Sequence, residues 1–274
     1  MNIHCGALSL LLLLSGPLTI CKASTDDSEI DDETPFSYTD GTKYGPKNWG
    51  ELDPHWRICN HGEMQSPIDL LNRRVQVFPN LGKLKRNYKA APAILKNRGH
   101  DIAVVWKGDA GKININETDY KLIQCHWHSP AEHTINGSRY KMELHLVHES
   151  SDGKIAAVGI VYKYGRPDQF LTRMFHHIRS ISDVNSVGKE EKNLGIVNPG
   201  DIKFGSRKYY RYLGSLTIPP CTEGVVWTIS KKVRTVSREQ VRLLREAVHD
   251  GYEANSRPTQ QIGDRRIWLY TPKG

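Results

Sequence analysis

Histidines at strand spacing carry the first chemical signal. In Gln124-Cys125-His126-Trp127-His128-Ser129-Pro130-Ala131-Glu132-His133, His126 and His128 stand two residues apart. On a strand, side chains two apart leave the same face, about 6–7 Å apart along the chain. Two imidazoles so placed can close on one zinc ion, which takes nitrogen ligands at about 2.0–2.1 Å. A lone H-x-H pair is just as readily two histidines on a half-exposed strand, so a third donor is needed. The run Met142-Glu143-Leu144-His145-Leu146-Val147-His148 offers one. Alternation there puts Glu143, His145 and Val147 on one face, and Met142, Leu144, Leu146 and His148 on a core-like face. Residues 129–139 are polar and long enough to turn the chain back beside the first strand. His145 then supplies a third ligand and leaves the fourth tetrahedral position open for water. That pattern belongs to catalytic zinc sites rather than structural ones. Spacing alone leaves His133 and His148 open as the third ligand.

The elements that must position these groups are mostly strands. Residues 102–106, 120–128, 140–148, 156–162, 213–217, 225–229 and 267–270 are β-branched or aromatic and bounded by Gly, Pro, Asn or Asp. Two helices are expected. Pro167 and Asp168 open one, with Phe170, Met174 and Ile178 on a single face. Ser237 and Gln240 form a capping box for the other, which continues through Val241, Leu244 and Val248 to a stop at Gly251. Many strands and few helices predict a mainly β (α+β) fold. Its core is a large, twisted, mostly antiparallel sheet with peripheral helices.

Residues 7–20 form a leucine-rich apolar run too short to span a bilayer. Small residues follow at Ala23 and Ser24, then an acidic stretch. This layout predicts a signal peptide over 1–24, although its first residues lack Lys or Arg and carry only His4. Residues 25–35 read as a flexible acidic segment and 36–274 as one domain, with no repeat or linker to divide it. Export leaves Cys59, Cys125 and Cys221 in the mature chain, one pair and one free thiol. It also makes the sequons at Asn116 and Asn136 glycan acceptors where they are exposed. With 38 basic and 30 acidic residues the net charge is +8. No basic block interleaved with aromatics marks a nucleic-acid groove, so the charge reads as a solvated surface. No second long apolar run exists, which predicts no membrane insertion after cleavage.

The run Gln124 to Thr134, the Glu143-Leu-His-Leu-Val-His148 segment and Ser215-Leu-Thr-Ile-Pro-Pro220 together resemble the α-class carbonic anhydrases, particularly those of plants. Tyr44-Gly45-Pro46, Trp49 and Gln65-Ser66-Pro67-Ile68-Asp69 add to the resemblance, which runs in the family's order from Phe36 to Tyr270. It implies that His126, His128 and His145 hold one zinc ion, in place of His133 or His148. Gln124 and Glu143 match residues that orient ligating rings. Thr217 matches the threonine that accepts a hydrogen bond from zinc-bound hydroxide, and Glu132 matches the buried carboxylate that holds that hydroxyl. His100 matches a proton-shuttle histidine; from residue type alone it reads as a surface group. Val147, Leu216, Val225 and Trp227 match the apolar wall that holds carbon dioxide, and Cys59 and Cys221 match a disulfide that anchors the Thr217 loop. Cys125 is expected to point to the opposite strand face as a buried free thiol.

Two positions depart from the family pattern. Ile218 replaces a polar residue common in animal members, and Ala157 replaces a larger valine of the carbon dioxide pocket. The resemblance implies reversible hydration of carbon dioxide to bicarbonate by a monomer or homodimer. Export to the apoplast is expected, with a plastid reached through the secretory route as the alternative. Two rival functions are a secreted storage or binding protein with weak turnover and a zinc esterase using the same nucleophile. The first is disfavoured because every expected ligand is present.

Overall fold

Alternation along the central strands decides what each face of the fold can hold. The computed structural model describes residues 35–182 and 191–272. The expected leader at 1–24, with its Cys5 and Cys21, and residues 25–34 of the acidic segment lie outside them. Among the described residues, thirteen strands make one sheet. Its main path runs Glu191–Val197, Ala91–Asn97, Ile102–Trp106, Thr118–His128, Met142–Ser150, Ile155–Tyr164, Glu223–Ser230, Tyr209–Ser215, Ile267–Tyr270 and Val75–Val77.

Most pairings are antiparallel, as the sequence predicts. However, Ile155–Tyr164 runs parallel to Glu223–Ser230 and Arg234–Val236, and Ile267–Tyr270 parallel to Val75–Val77. The sheet is therefore mixed. Parallel neighbours need long crossovers, which local strand chemistry does not encode.

Trp127, Cys125, Leu144, Leu146, Val158 and Ile160 point to one face and join a large apolar cluster. The two long helices pack there, Gln169–Ile181 through Phe170, Met174 and Ile178, and Arg238–Ala247 through Val241 and Leu244. Trp127 stacks on Phe170 with centroids 6.2 Å apart. Removing that indole would cost about 3–5 kcal/mol through lost burial and a cavity. Cys125 is a buried free thiol on this face, away from His126, its neighbour in sequence. A second cluster, with Ile68, Ala131, Ala157, Leu216, Val225 and Trp227, covers the opposite face.

Both expected helix starts occur. Asp168 Oδ1 accepts from Phe170 and Leu171 N–H, each at 3.0 Å, and Ser237 with Gln240 forms the capping box. The second helix stops at Ala247, four residues short of Gly251. There Asn97 Nδ2 donates to Ala247 O at 2.8 Å and His249 N to Gly99 O at 2.9 Å, so bonding to a neighbouring turn replaces the helical ladder. The expected strand at 213–217 is Tyr209–Ser215 instead. Leu216 N closes onto Thr222 O at 2.9 Å, which places Thr217 in a loop.

Candidate metal centre

The predicted turn at 129–139 brings Thr118–His128 and Met142–Ser150 together as antiparallel neighbours, with His145 directly opposite His126. A bulge falls only after Val147, so the register at the histidines is undisturbed. The three rings lie 4.7–5.2 Å apart by centroid. One ligand atom from each of His126, His128 and His145 lies within 4.8 Å of the others, and all three residues are buried.

Each ring is oriented by a different acceptor. His126 Nδ1 meets Gln124 Oε1 at 2.9 Å, His128 Nδ1 meets Asn255 O at 2.7 Å, and His145 Nε2 meets Glu143 Oε1 at 3.0 Å. A carbonyl or carboxylate oxygen can only accept, so each of these ring nitrogens donates. The other nitrogen of a neutral ring then carries the lone pair a metal requires. Burial pushes His126 well below the ordinary histidine range; Asp101 opposes this, while Arg98, His128 and His145 reinforce it. The ring is held neutral.

Two atoms test whether a cation fits. His128 Nε2 and Glu132 Oε2 are buried, 3.6 Å apart, and have no hydrogen-bond partner among the described residues. Both present lone pairs. Such a pairing calls for a Lewis acid or a proton donor between them. Three imidazole nitrogens suit zinc in particular.

His133, Glu143 and His145 form a second group of metal-ligand type, but its acceptors are already engaged. Glu143 Oε1 takes N–H donors from His133 at 2.7 Å and His145 at 3.0 Å; Oε2 takes the backbone N–H groups of Glu132 at 2.9 Å and His133 at 2.8 Å. Burial raises the Glu143 carboxyl, yet the facing His133 and His145 rings and their hydrogen bonds bring it well below the usual carboxylate range. His148, the other open alternative, turns to the far face and meets Tyr88 Oη at 2.9 Å.

Val147, Ala157, Leu216, Ile218, Val225 and Trp227 are all buried. Ala157 is the strand partner of Val147, and the Trp227 ring lies 4.8 Å from that of His145. Cys59 and Cys221 form a disulfide, and Gln65 Nε2 donates to Cys221 O at 3.1 Å, so the loop carrying Thr217 is anchored. The expected Thr217–Glu132 hydrogen bond is not made. Glu132 Oε1 accepts from Arg257 N at 3.0 Å, and Oε2 faces His128 instead. His100 is buried at 8% exposure, contrary to the surface position its residue type suggests. Phe36 and Tyr252 cover its ring. Asn116 is exposed in the turn before Thr118, and Asn136 is exposed with its Oδ1 accepting from Asn72 N at 2.8 Å.

Several groups escaped the sequence reading. Asn255 orients His128, and its Oδ1 also accepts from Ser129 N at 2.8 Å. The Arg257 guanidinium, 1% exposed as a residue, donates to Cys59 O at 2.6 Å and Ser66 O at 2.8 Å. Tyr38 Oη is another buried atom without a partner among the described residues. Burial raises its phenol well above the ordinary range, with Glu132 and Asp101 adding to the effect. These residues lie far along the chain from the histidines, and no periodic pattern points to them.

Comparison with known proteins identifies the family. Residues 44–271 match the family model for eukaryotic-type carbonic anhydrase. The chain is 54% identical over 255 residues to alpha carbonic anhydrase 4 of Arabidopsis thaliana, covering 93% of each chain. It is 48% identical over 272 residues to carbonic anhydrase Nec1 of Nesocodon mauritianus, covering 98% of this chain and 95% of that one. A crystal structure of dioscorin complexed with ascorbate superposes with a TM-score of 0.84 at 45% identity, covering 87% of this chain and 99% of that one. By sequence and by fold, the chain belongs to the α-class, eukaryotic-type carbonic anhydrase family.

Proposed function

We propose that this chain is a zinc enzyme that reversibly hydrates carbon dioxide to bicarbonate and a proton, with one Zn²⁺ per chain held by His126, His128 and His145. The observation that carries this reading is His128 Nε2, buried and without a hydrogen-bond partner among the described residues, in a cluster of three oriented imidazoles. When bound, zinc supplies Lewis acidity that makes water a nucleophile near neutral pH.

The chain's own residues do the rest. Gln124, Asn255 and Glu143 fix the ligand rings and their tautomers. Val147, Ala157, Leu216, Ile218, Val225 and Trp227 give an apolar wall that favours carbon dioxide over water. Thr217 orients the nucleophile, and Glu132, held by Arg257 N–H, is the acceptor toward which the Thr217 hydroxyl turns in the working state. His100 carries the product proton toward solvent.

Residues 36–274 act as the enzyme domain, preceded by a leader at 1–24 and an acidic segment at 25–35. The disulfide fits a secretory route, with glycans at Asn116 and Asn136. Among the described residues no helix is long and apolar enough to cross a membrane. A second reading, a carbonic-anhydrase-like binding protein with weak turnover, draws on the missing Thr217–Glu132 hydrogen bond and the similarity to dioscorin. Metal analysis tests the site. The purified chain is expected to hold one zinc that His128→Ala and His145→Ala each release; undiminished zinc in both variants would refute the assignment.

A further inference from the structure

His100 sits at the tip of the hairpin joining Ala91–Asn97 to Ile102–Trp106, next to a buried ion pair. Arg98 Nε donates to Asp101 Oδ1 at 2.7 Å and Arg98 Nη2 to Oδ2, a bidentate clasp. Both side chains are hidden from solvent, at 5% and 1% exposure. The turn does not need this pair. Arg98 N already donates to Asp101 O at 2.9 Å, and Gly99 N to Asn97 Oδ1 at 2.9 Å. A buried ion pair is weak evidence of stability, because an apolar pair of similar size often serves as well.

What the pair faces is His100. Its Nε2 is buried without a hydrogen-bond partner among the described residues and lies 3.6 Å from Asp101 Oδ2. That gap is too long for a hydrogen bond and short enough for one to form after a small ring movement. The Arg98 backbone also favours the charged form of the ring. The other groups around it are mostly uncharged. The Phe36 ring lies at 5.5 Å and the Tyr252 ring at 6.4 Å, with the Tyr252 hydroxyl donating to Phe36 O. Asn255 Nδ2 donates to His100 O at 2.8 Å, and Asn255 O accepts from His128 Nδ1 at 2.7 Å. The exposed His249 packs on Gly99, and the Tyr38 phenol faces Asp101 and Arg98 more distantly.

We infer that Asp101, clasped by Arg98, is a positioning residue for proton transfer, supplying the counter-charge without which a buried His100 could not take up a proton. The inference rests on the reading of His100 as the proton carrier. In the resting state the Asp101 charge is shared with Arg98 and His100 is neutral. When Nε2 gains a proton, the imidazolium and Asp101 Oδ2 attract across the short gap, and loss of that proton to buffer restores the original charges. Arg98 works in the opposite sense, keeping the site net positive once His100 is charged and so favouring release. Consistent with this balance, burial lowers the His100 ring to about 4, Asp101 raises it, and Arg98 and His128 lower it.

The test is an NMR titration of the His100 ring in zinc-loaded protein, for the parent, Asp101→Asn and Arg98→Gln. Alongside it, turnover is measured in weak buffer and in saturating imidazole. Asp101→Asn should move His100 titration down and lower the weak-to-strong buffer turnover ratio by about ten-fold. Arg98→Gln should move the titration up, and this arm stands even where Asp101→Asn fails to fold. An unmoved His100 titration in folded variants overturns the inference. Titration shifts of the expected signs with an unchanged turnover ratio uphold the charge coupling and refute the relay reading beneath it.

Discussion

His145 Nε2 donates to Glu143 Oε1 at 3.0 Å, and the same oxygen receives the Nδ1–H of His133 at 2.7 Å. One carboxylate therefore fixes the His145 ring and ties it to a second buried histidine, whose Nε2 meets Tyr212 Oη at 2.7 Å. Tyr212 Oη continues to Ser66 Oγ at 2.8 Å, and Ser66 Oγ accepts from Ser215 N at 3.0 Å, two residues before Thr217. The face that carries the three histidines and the Thr217 loop thus share one buried network.

Glu143→Gln should expose that dependence. Glutamine keeps the volume, but its amide nitrogen cannot accept, so at least one of four N–H donors loses its partner. Zinc affinity should fall about 10–100-fold, measured by chelator competition on folded protein. Affinity equal to the parent would show that Glu143 does not orient His145.

Filling the apolar wall should block substrate and spare the metal. Val147→Tyr adds a ring opposite Ala157, in a buried region with little space to yield. Carbon dioxide hydration should fall about 100-fold, with one zinc retained per chain. Full turnover in this variant would place the substrate elsewhere.

The Cys59–Cys221 bridge closes a loop of 162 residues. Cys59→Ala with Cys221→Ala should lower stability by about 3–5 kcal/mol, because the unfolded chain regains the freedom the bridge removes. Urea unfolding of the two proteins measures this. Coincident midpoints would contradict it.

Acid should weaken the fold within a defined window. Burial lowers His100 and His148 to about 4, against an ordinary 6.5. Between these values the unfolded chain binds protons that the native state refuses. Stability is therefore fully present above about pH 6.5 and lost as pH falls toward 4, on the order of 3 kcal/mol per histidine. His148→Asn should make the decline shallower when unfolding midpoints are followed across that range. A parent protein with constant stability from pH 7 to 4 would refute the assignment.

The hairpin that carries the histidines was legible because strand alternation is a local rule. Glu143, His145 and Val147 could be placed on one face from seven residues of sequence. The helix starts at Asp168 and Ser237 were legible for the same reason, since a cap acts within three residues. Asn255, which orients His128 from 127 positions away, and Arg257, which holds Glu132 from 125, carry no such pattern. His100 shows the reverse case. A histidine in a hairpin turn reads as exposed until Phe36 and Tyr252, from the two ends of the domain, close over it.

The central claim is that three oriented imidazoles serve carbon dioxide hydration, and stopped-flow kinetics on the zinc-loaded chain test it most directly. The account predicts hydration far above the buffer rate, abolished by chelation and restored by added zinc. A zinc-loaded, folded chain that hydrates carbon dioxide no faster than buffer would contradict it and leave the binding-protein reading in its place.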